Sequence, residues 1–333
     1  MTHTLRLGCL VVLLTSPLLA SPGAPAYSVI GLGGVSRALA INDHTQIVGW
    51  NVPPPPGFDF KAVLWQAGQM RDLGALPGGI ESTATGINNR GQVVLYSEAI
   101  NCRGLCSRAA LWEKGTLTDL GAIGRPAIPS DINDRGQVVG VSHLGQDFIS
   151  PRRAVLWEQD GELIDLGTLP GDDQSEAGAI NNRGEIVGSS RNQDGSSRPF
   201  LWQHGVMTEL PGLSDALDIN DRGQIVGAVR AGGRFTPVVW ENGTMTPLPL
   251  PPGSWSILNA AINARGQVVG TLVTTSATTP THEFRIAVLW QNSTVIVLPT
   301  LSPTGQAQAA DINNRGEIVG DSGQAVLWLP HER

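Results

Sequence analysis

One decapeptide, Asp131-Ile132-Asn133-Asp134-Arg135-Gly136-Gln137-Val138-Val139-Gly140, returns seven times along the chain with small edits. The copies open on Ile41, Ile87, Ile132, Ile180, Ile219, Ile262 and Ile312, each followed directly by Asn. A fixed internal period makes the chain an array of one supersecondary unit, and no single unit can bury its apolar face alone. Two further landmarks keep the same period. A β-rich run ends at Trp65, Trp112, Trp157, Trp202, Trp240, Trp290 and Trp328, and a short run ends at Leu32, Leu73, Leu120, Leu166, Leu210, Leu248 and Leu298.

The apolar runs are short, rich in Val, Ile and Trp, and broken by Gly or Asn within a few residues, which is a strand pattern rather than a helical one. The repeated Asn42, Asn88, Asn133, Asn181, Asn220, Asn263 and Asn313 each stand first in a turn. Six copies carry Gly at its fourth place, the preference of a type I turn with a following bulge, because Asn bonds to the backbone two residues on and Gly accepts positive φ. Copy one has Thr45 there, so that turn should be strained or of another type. After the Trp comes a second tight hairpin, clearest in Trp240-Glu241-Asn242-Gly243-Thr244. Four strands, a to d, in about 44 residues match one propeller blade.

Both hairpins are nearly constant in length, whereas the b-to-c and d-to-a links vary widely, from Gly320–Leu327 to Gly270–Leu289. In an antiparallel meander the tight turns then share one end and the variable links the other, where function on a repeat scaffold usually sits. Either variable link could join successive blades. Under both choices the strand Tyr27 to Leu32 lacks a preceding Trp strand and Gln324 to Trp328 lacks a following Leu strand. The expected fold is therefore all-β, a seven-bladed β-propeller of four-stranded antiparallel blades over residues 27–333, closed by pairing the N- and C-terminal strands. An open solenoid would need capping ends, a stack of sandwiches would need linkers, and six or eight blades would need a lost or hidden copy.

Residues 1–26 read as a signal peptide: Arg6, an apolar run from Leu7 to Leu19, and cleavage after Ala20 or Ala26. The mature protein is expected to be secreted, extracellular or periplasmic, with no remaining membrane span. Cys102 and Cys106 are then the only cysteines, and in an oxidising compartment they are expected to form a local disulfide. A net charge of −7 and only two lysines, Lys61 and Lys114, exclude the basic stripe a nucleic-acid partner requires.

The pattern Ala-Val-Leu-Trp, a turn, Leu-x-Asp-Leu-Gly, then Ile-Asn-x-x-Gly-x-Val-Val-Gly resembles the HAF family of bacterial extracellular repeat proteins across nearly all of the mature chain. The resemblance implies export and repetition more than any biochemical role. The His-Ala-Phe of that family is replaced here by Arg153-Ala154-Val155 or Arg198-Pro199-Phe200.

The seven repeat tryptophans, flanked by aliphatics at one strand position, are expected between blades. Trp50 and Trp255 fall outside the repeat register near Pro-rich links, and they are the binding candidates. Asp131-x-Asn133-x-x-Gly136, echoed at Asp218 and Asp311, lacks the remaining oxygen ligands of a calcium loop, since Arg135 and Ser142 occupy two ligand places. No metal site, cofactor or catalytic residue is expected: there is no Gly-x-Ser-x-Gly elbow or phosphate loop, and His44, His143, His204, His282 and His331 are scattered over different units. The expected function is a non-enzymatic scaffold that presents its variable loops to a protein or glycan. The alternative is a polysaccharide hydrolase or lyase with acids in the central channel.

Overall fold

The computed structural model describes residues 27–53, 59–102, 104–146, 149–275 and 283–331. The expected signal peptide, residues 1–26, lies outside the described residues, as does most of the proline run at 53–56. Seven four-stranded antiparallel sheets form seven blades, in strand order a-b-c-d. Blade 3 shows the plan: a is Ala127–Ile132, b is Val138–His143, c is Arg152–Trp157 and d is Leu163–Asp165. Strand a packs against strand a of the next blade all the way round, so a is innermost and the d-to-a link joins blades.

Closure is as the termini require. Tyr27–Gly31 becomes strand d of blade 7, running from Tyr27 opposite Pro330 to Gly31 opposite Val326. Seven apolar clusters fill the seven blade junctions, and the one that joins blade 7 (Val319, Ala325, Leu327) to blade 1 (Ala38, Val63, Trp65) is built like the others. The repeat tryptophans sit in these junctions, five of them buried, with Trp202 and Trp240 half-buried. Three of the indoles reach the link of the preceding blade: Trp157 Nε1 donates to the Gly121 carbonyl, Trp290 to Pro249 and Trp328 to Pro299. Arginine ahead of the apolar run of strand c also grips that link. Arg198 Nη2 lies 2.9 Å from both the Pro170 carbonyl and Asp172, while Nη1 lies 2.9 Å from Glu209 of its own blade.

The a–b turns are the expected type I turns with a bulge: Asn133 N–H donates to Gln137 O, and Gly136 N–H to Asn133 O. Thr45 does not change the turn. It keeps the Asn42 bond at φ 57, a left-handed conformation that a β-branched residue adopts only under strain, and its hydroxyl donates to Glu317 of blade 7 at 2.8 Å.

Strand b runs three residues beyond Gly140. That glycine is not a turn residue. It lies opposite Pro129, next to a bulge at Ser130, where a Cβ would collide with the Ile128 carbonyl. Blade 2 holds Leu95 in this register, buried against blade 1.

Candidate functional site

Two regions stand out, the central channel and the variable-link face. At the channel's tight-turn end the repeated asparagines form a closed circle. Nδ2 of Asn42 donates to Asn88 O, Asn88 to Asn133, Asn133 to Asn181, Asn181 to Asn220, Asn220 to Asn263, Asn263 to Asn313 and Asn313 back to Asn42, all at 2.9–3.0 Å. Each Oδ1 accepts two turn amides, as in His44 and Gln46 onto Asn42, and the second Nδ2 hydrogen goes to a Gln or Glu four residues on. These side chains are only 3–4% exposed, and the arrangement leaves no polar atom of the amide without a partner. The turn role was legible in the sequence; the circle was not, because each link in it spans two blades.

One residue further, the side chains alternate around the mouth: Asp43, Asn89, Asp134, Asn182, Asp221, Ala264, Asn314. Each backbone N–H donates to the next side-chain Oδ1 at 2.7–2.9 Å, from Asp43 to Asn182 and again from Ala264 to Asp43. Asn89 Nδ2 also bridges Asp43 and Asp134, and Asn182 bridges Asp134 and Asp221. A seven-membered ring cannot alternate donor and acceptor throughout, and Ala264 stands where the alternation must fail. Ala264→Asn offers the missing acceptor to Asp221 N–H and is expected to raise stability by about 0.5–1 kcal/mol. Ala264→Asp sets two carboxylates side by side and should lower it. Thermal melts of both variants test the sign.

Deeper in, Asp131, Asp218 and Asp311 occupy one register in blades 3, 5 and 7, where blades 1, 2, 4 and 6 have Ala40, Gly86, Ala179 and Ala261. Innermost strands turn one edge of unpaired amides toward the axis. Asp131 accepts Ile132 N–H at 2.8 Å and Ile180 N–H of the next blade at 2.9 Å. Asp218 does the same for Ile219 and Ile262, and Asp311 for Ile312 and Ile41. Three carboxylates thus satisfy six of the seven edge amides. Though part-exposed, they are hemmed in by the narrow channel. Desolvation raises all three: Asp131 to about 7, helped by the charge of Asp311; Asp311 to about 6, helped by Asp43; and Asp218 well above the ordinary range, helped by Asp131 and Asp311. Sequence reading met these residues as echoes of a calcium loop. Their true signal was the spacing of every second unit.

The variable links do share the opposite face. Trp50, in strand b of blade 1, packs edge-to-face on Phe60, with ring centroids 4.8 Å apart at 78°. Trp255, in strand a of blade 6, lines an open depression of about 690 Å³. Blade 7 stands between blades 1 and 6, so the two tryptophans belong to separate places. In blade 2 the b–c hairpin, Val93–Cys102 and Gly104–Glu113, projects beyond its siblings. Cys106 is disulfide-bonded, and the side chain of its expected partner Cys102 lies outside the described residues. His44 and His204 are exposed in tight turns, His143 is buried in strand b, and His282 lies outside the described residues. Among the described residues no His, Cys, Asp and Glu side chains group as three or more metal ligands, and no helix is long and apolar enough to cross a membrane.

No protein-family model matches the chain, and no curated protein does. Solved structures do. The chain resembles the β-propeller domain of the Trilobed protease from Pyrococcus furiosus, with TM-score 0.60 at 12% identity over 90% of this chain and 95% of that one. It also resembles the acylaminoacyl peptidase of Pyrococcus horikoshii, with TM-score 0.58 at 13% identity over 89% of this chain, which spans only 51% of the peptidase. A streptogramin B lyase gives TM-score 0.53 at 10% identity, over 92% and 98% of the two chains. The likeness is one of fold. At these identities a shared propeller carries no shared chemistry.

Proposed function

We propose that the protein is an exported, non-enzymatic propeller that binds a protein or glycan partner through its variable-link face. The observation that carries this reading is the contrast between the two ends of the channel. On the tight-turn end the repeated polar side chains are spent on each other, in one closed circle of asparagines and a second ring interrupted only at Ala264. On the other end the blades differ, and a depression lined by an out-of-register tryptophan lies open to solvent. The leader-like residues 1–26 and the family resemblance support export.

The test uses immobilised protein presented to cell-envelope protein and extracellular polysaccharide fractions. One variant trims the projecting hairpin of blade 2 and replaces Trp255 with Ala; a second replaces Arg90, Arg135 and Arg222 on the tight-turn face with Ser. Binding lost in the first and kept in the second is expected, and the reverse pattern overturns the assignment of the face.

The rival reading, a polysaccharide hydrolase or lyase, draws on the raised carboxyl groups of Asp131, Asp218 and Asp311. Against it, both oxygens of each carboxylate already accept a backbone amide. The mouth cavity, about 180 Å³, is also smaller than the roughly 300–1,000 Å³ of ligand pockets. Reducing-sugar release that disappears in Asp131→Ala would establish that reading instead.

A further inference from the structure

Blade 6 departs from its siblings at the start of its innermost strand. Every strand a has one bulge, but Ser254–Ile262 has two, and the first falls at Trp255 itself, between Ser254 opposite Thr274 and Ser256 opposite Val273. A bulge inserts an unpaired residue and re-aims its side chain, a device concentrated at sheet edges and beside functional sites. Here it puts a half-buried indole on the wall of the depression at the junction of blades 5 and 6. The space exists because its other walls carry little side chain: Gly232 and Gly233 form the b–c turn of blade 5, both at positive φ, and Gly253 precedes the bulge at φ 83. Arg234 and Glu283 line the same depression, exposed, and among the described residues neither makes an ion pair.

We infer that this depression is a saccharide-binding site whose stacking platform is Trp255, with Arg234 and Glu283 as hydrogen-bonding arms. This rests on the reading of the variable-link face given above and names the class of ligand. An indole face is apolar and electron-rich and matches the C–H face of a pyranose ring. A guanidinium donates and a carboxylate accepts, so the two together satisfy the paired donor and acceptor of sugar hydroxyls. The volume lies within the roughly 300–1,000 Å³ range of ligand sites, and the open rim suits a chain that enters and leaves, rather than an enclosed monomer.

The test titrates cellohexaose, xylohexaose, chitohexaose and an alginate hexamer into the mature chain, by calorimetry and tryptophan fluorescence, with Trp255→Ala, Trp255→Phe and Trp50→Ala alongside. At least one oligosaccharide is expected to bind with Kd below 1 mM (about −4 kcal/mol) and to quench fluorescence. Trp255→Ala should weaken it at least tenfold, Trp255→Phe less, and Trp50→Ala not at all, with melting temperatures of all three reported in parallel. Failure of all four sugars to bind, or equal affinity in Trp255→Ala, overturns the saccharide site. If a protein is captured through the variable-link face while no sugar binds, the saccharide site falls and the binding-face reading stands. Capture through the tight-turn face sinks both.

Discussion

A chain that starts at residue 32 melts about 10 °C or more below one that starts at residue 27. The deletion removes a five-residue ladder against Ala325–Pro330, buried Val29, and the hydrogen bond from the Tyr27 hydroxyl to Gly316 O. Apolar burial and hydrogen bonds of this extent total on the order of 5 kcal/mol, and in a chain of this size each kilocalorie moves the melting point by about 2–4 °C. The loss does not stop at the strand. Trp328, fully buried in the junction of blades 6 and 7, would then lie on the raw edge strand itself, and an exposed edge pairs with other molecules. The truncated protein should therefore also self-associate on light scattering. Trp328→Ala, which leaves the ladder intact, is the comparison and should cost about 3–5 kcal/mol without self-association. An unchanged melting temperature after deletion would mean that the ring does not depend on its N-terminal strand.

Stability falls as pH rises from 5 to 8, the opposite of ordinary acid denaturation. Asp131, Asp218 and Asp311 hold their protons in the folded channel at pH values where an unfolded aspartate, near 3.9, has lost them. A raised folded pKa gives stability that is complete below the unfolded pKa and is lost as pH climbs through the folded one. For Asp131 and Asp311 that window runs from about pH 4 to 6–7. The two other carboxyl groups with resolved shifts, Glu81 and Asp215, are raised as well, chiefly by desolvation, so they act in the same direction. With solvent screening allowed for, Asp131 and Asp311 together account for a loss on the order of 3 kcal/mol between pH 5 and 8, and the other three groups act in the same direction.

Calorimetric melts across that range at fixed ionic strength check it. Replacing all three aspartates with Ala, the residue that blades 1, 4 and 6 already carry in this register, should flatten the slope and lower stability most at pH 5. A wild-type melting point that climbs toward pH 8, or a triple variant with the wild-type slope, would refute the account. Asn is the wrong replacement: both oxygens accept amides, and a carboxamide would turn a donor toward one of them.

Fold and site were legible to different degrees, for reasons visible in single residues. Asn133 and Gly136 announce their turn because an Asx bond and positive φ are local demands. Trp157 announces burial because its neighbours are aliphatic. The complementary ends, Tyr27 to Leu32 and Gln324 to Trp328, announce closure because a missing strand in a periodic array is countable. Thr45 was flagged at its place in the turn, but which way the conflict resolves depends on Glu317 of another blade, which supplies a partner for its hydroxyl. The need for Gly140 is not local: the close approach there comes from a bulge in the partner strand.

The amino-acid sequence by itself determined the unit, the number of units, the latch between the two ends and the face on which the loops vary. All four follow from periodicity and from chain lengths, which are one-dimensional quantities. Only the tertiary structure decided that a is the innermost strand, that seven asparagines join in one circle, that three aspartates share six amides, and that Trp255 opens onto a depression while Trp50 is packed on Phe60. Each of these is set by which blades become neighbours around an axis, and contacts between residues some forty positions apart leave no mark on local pattern.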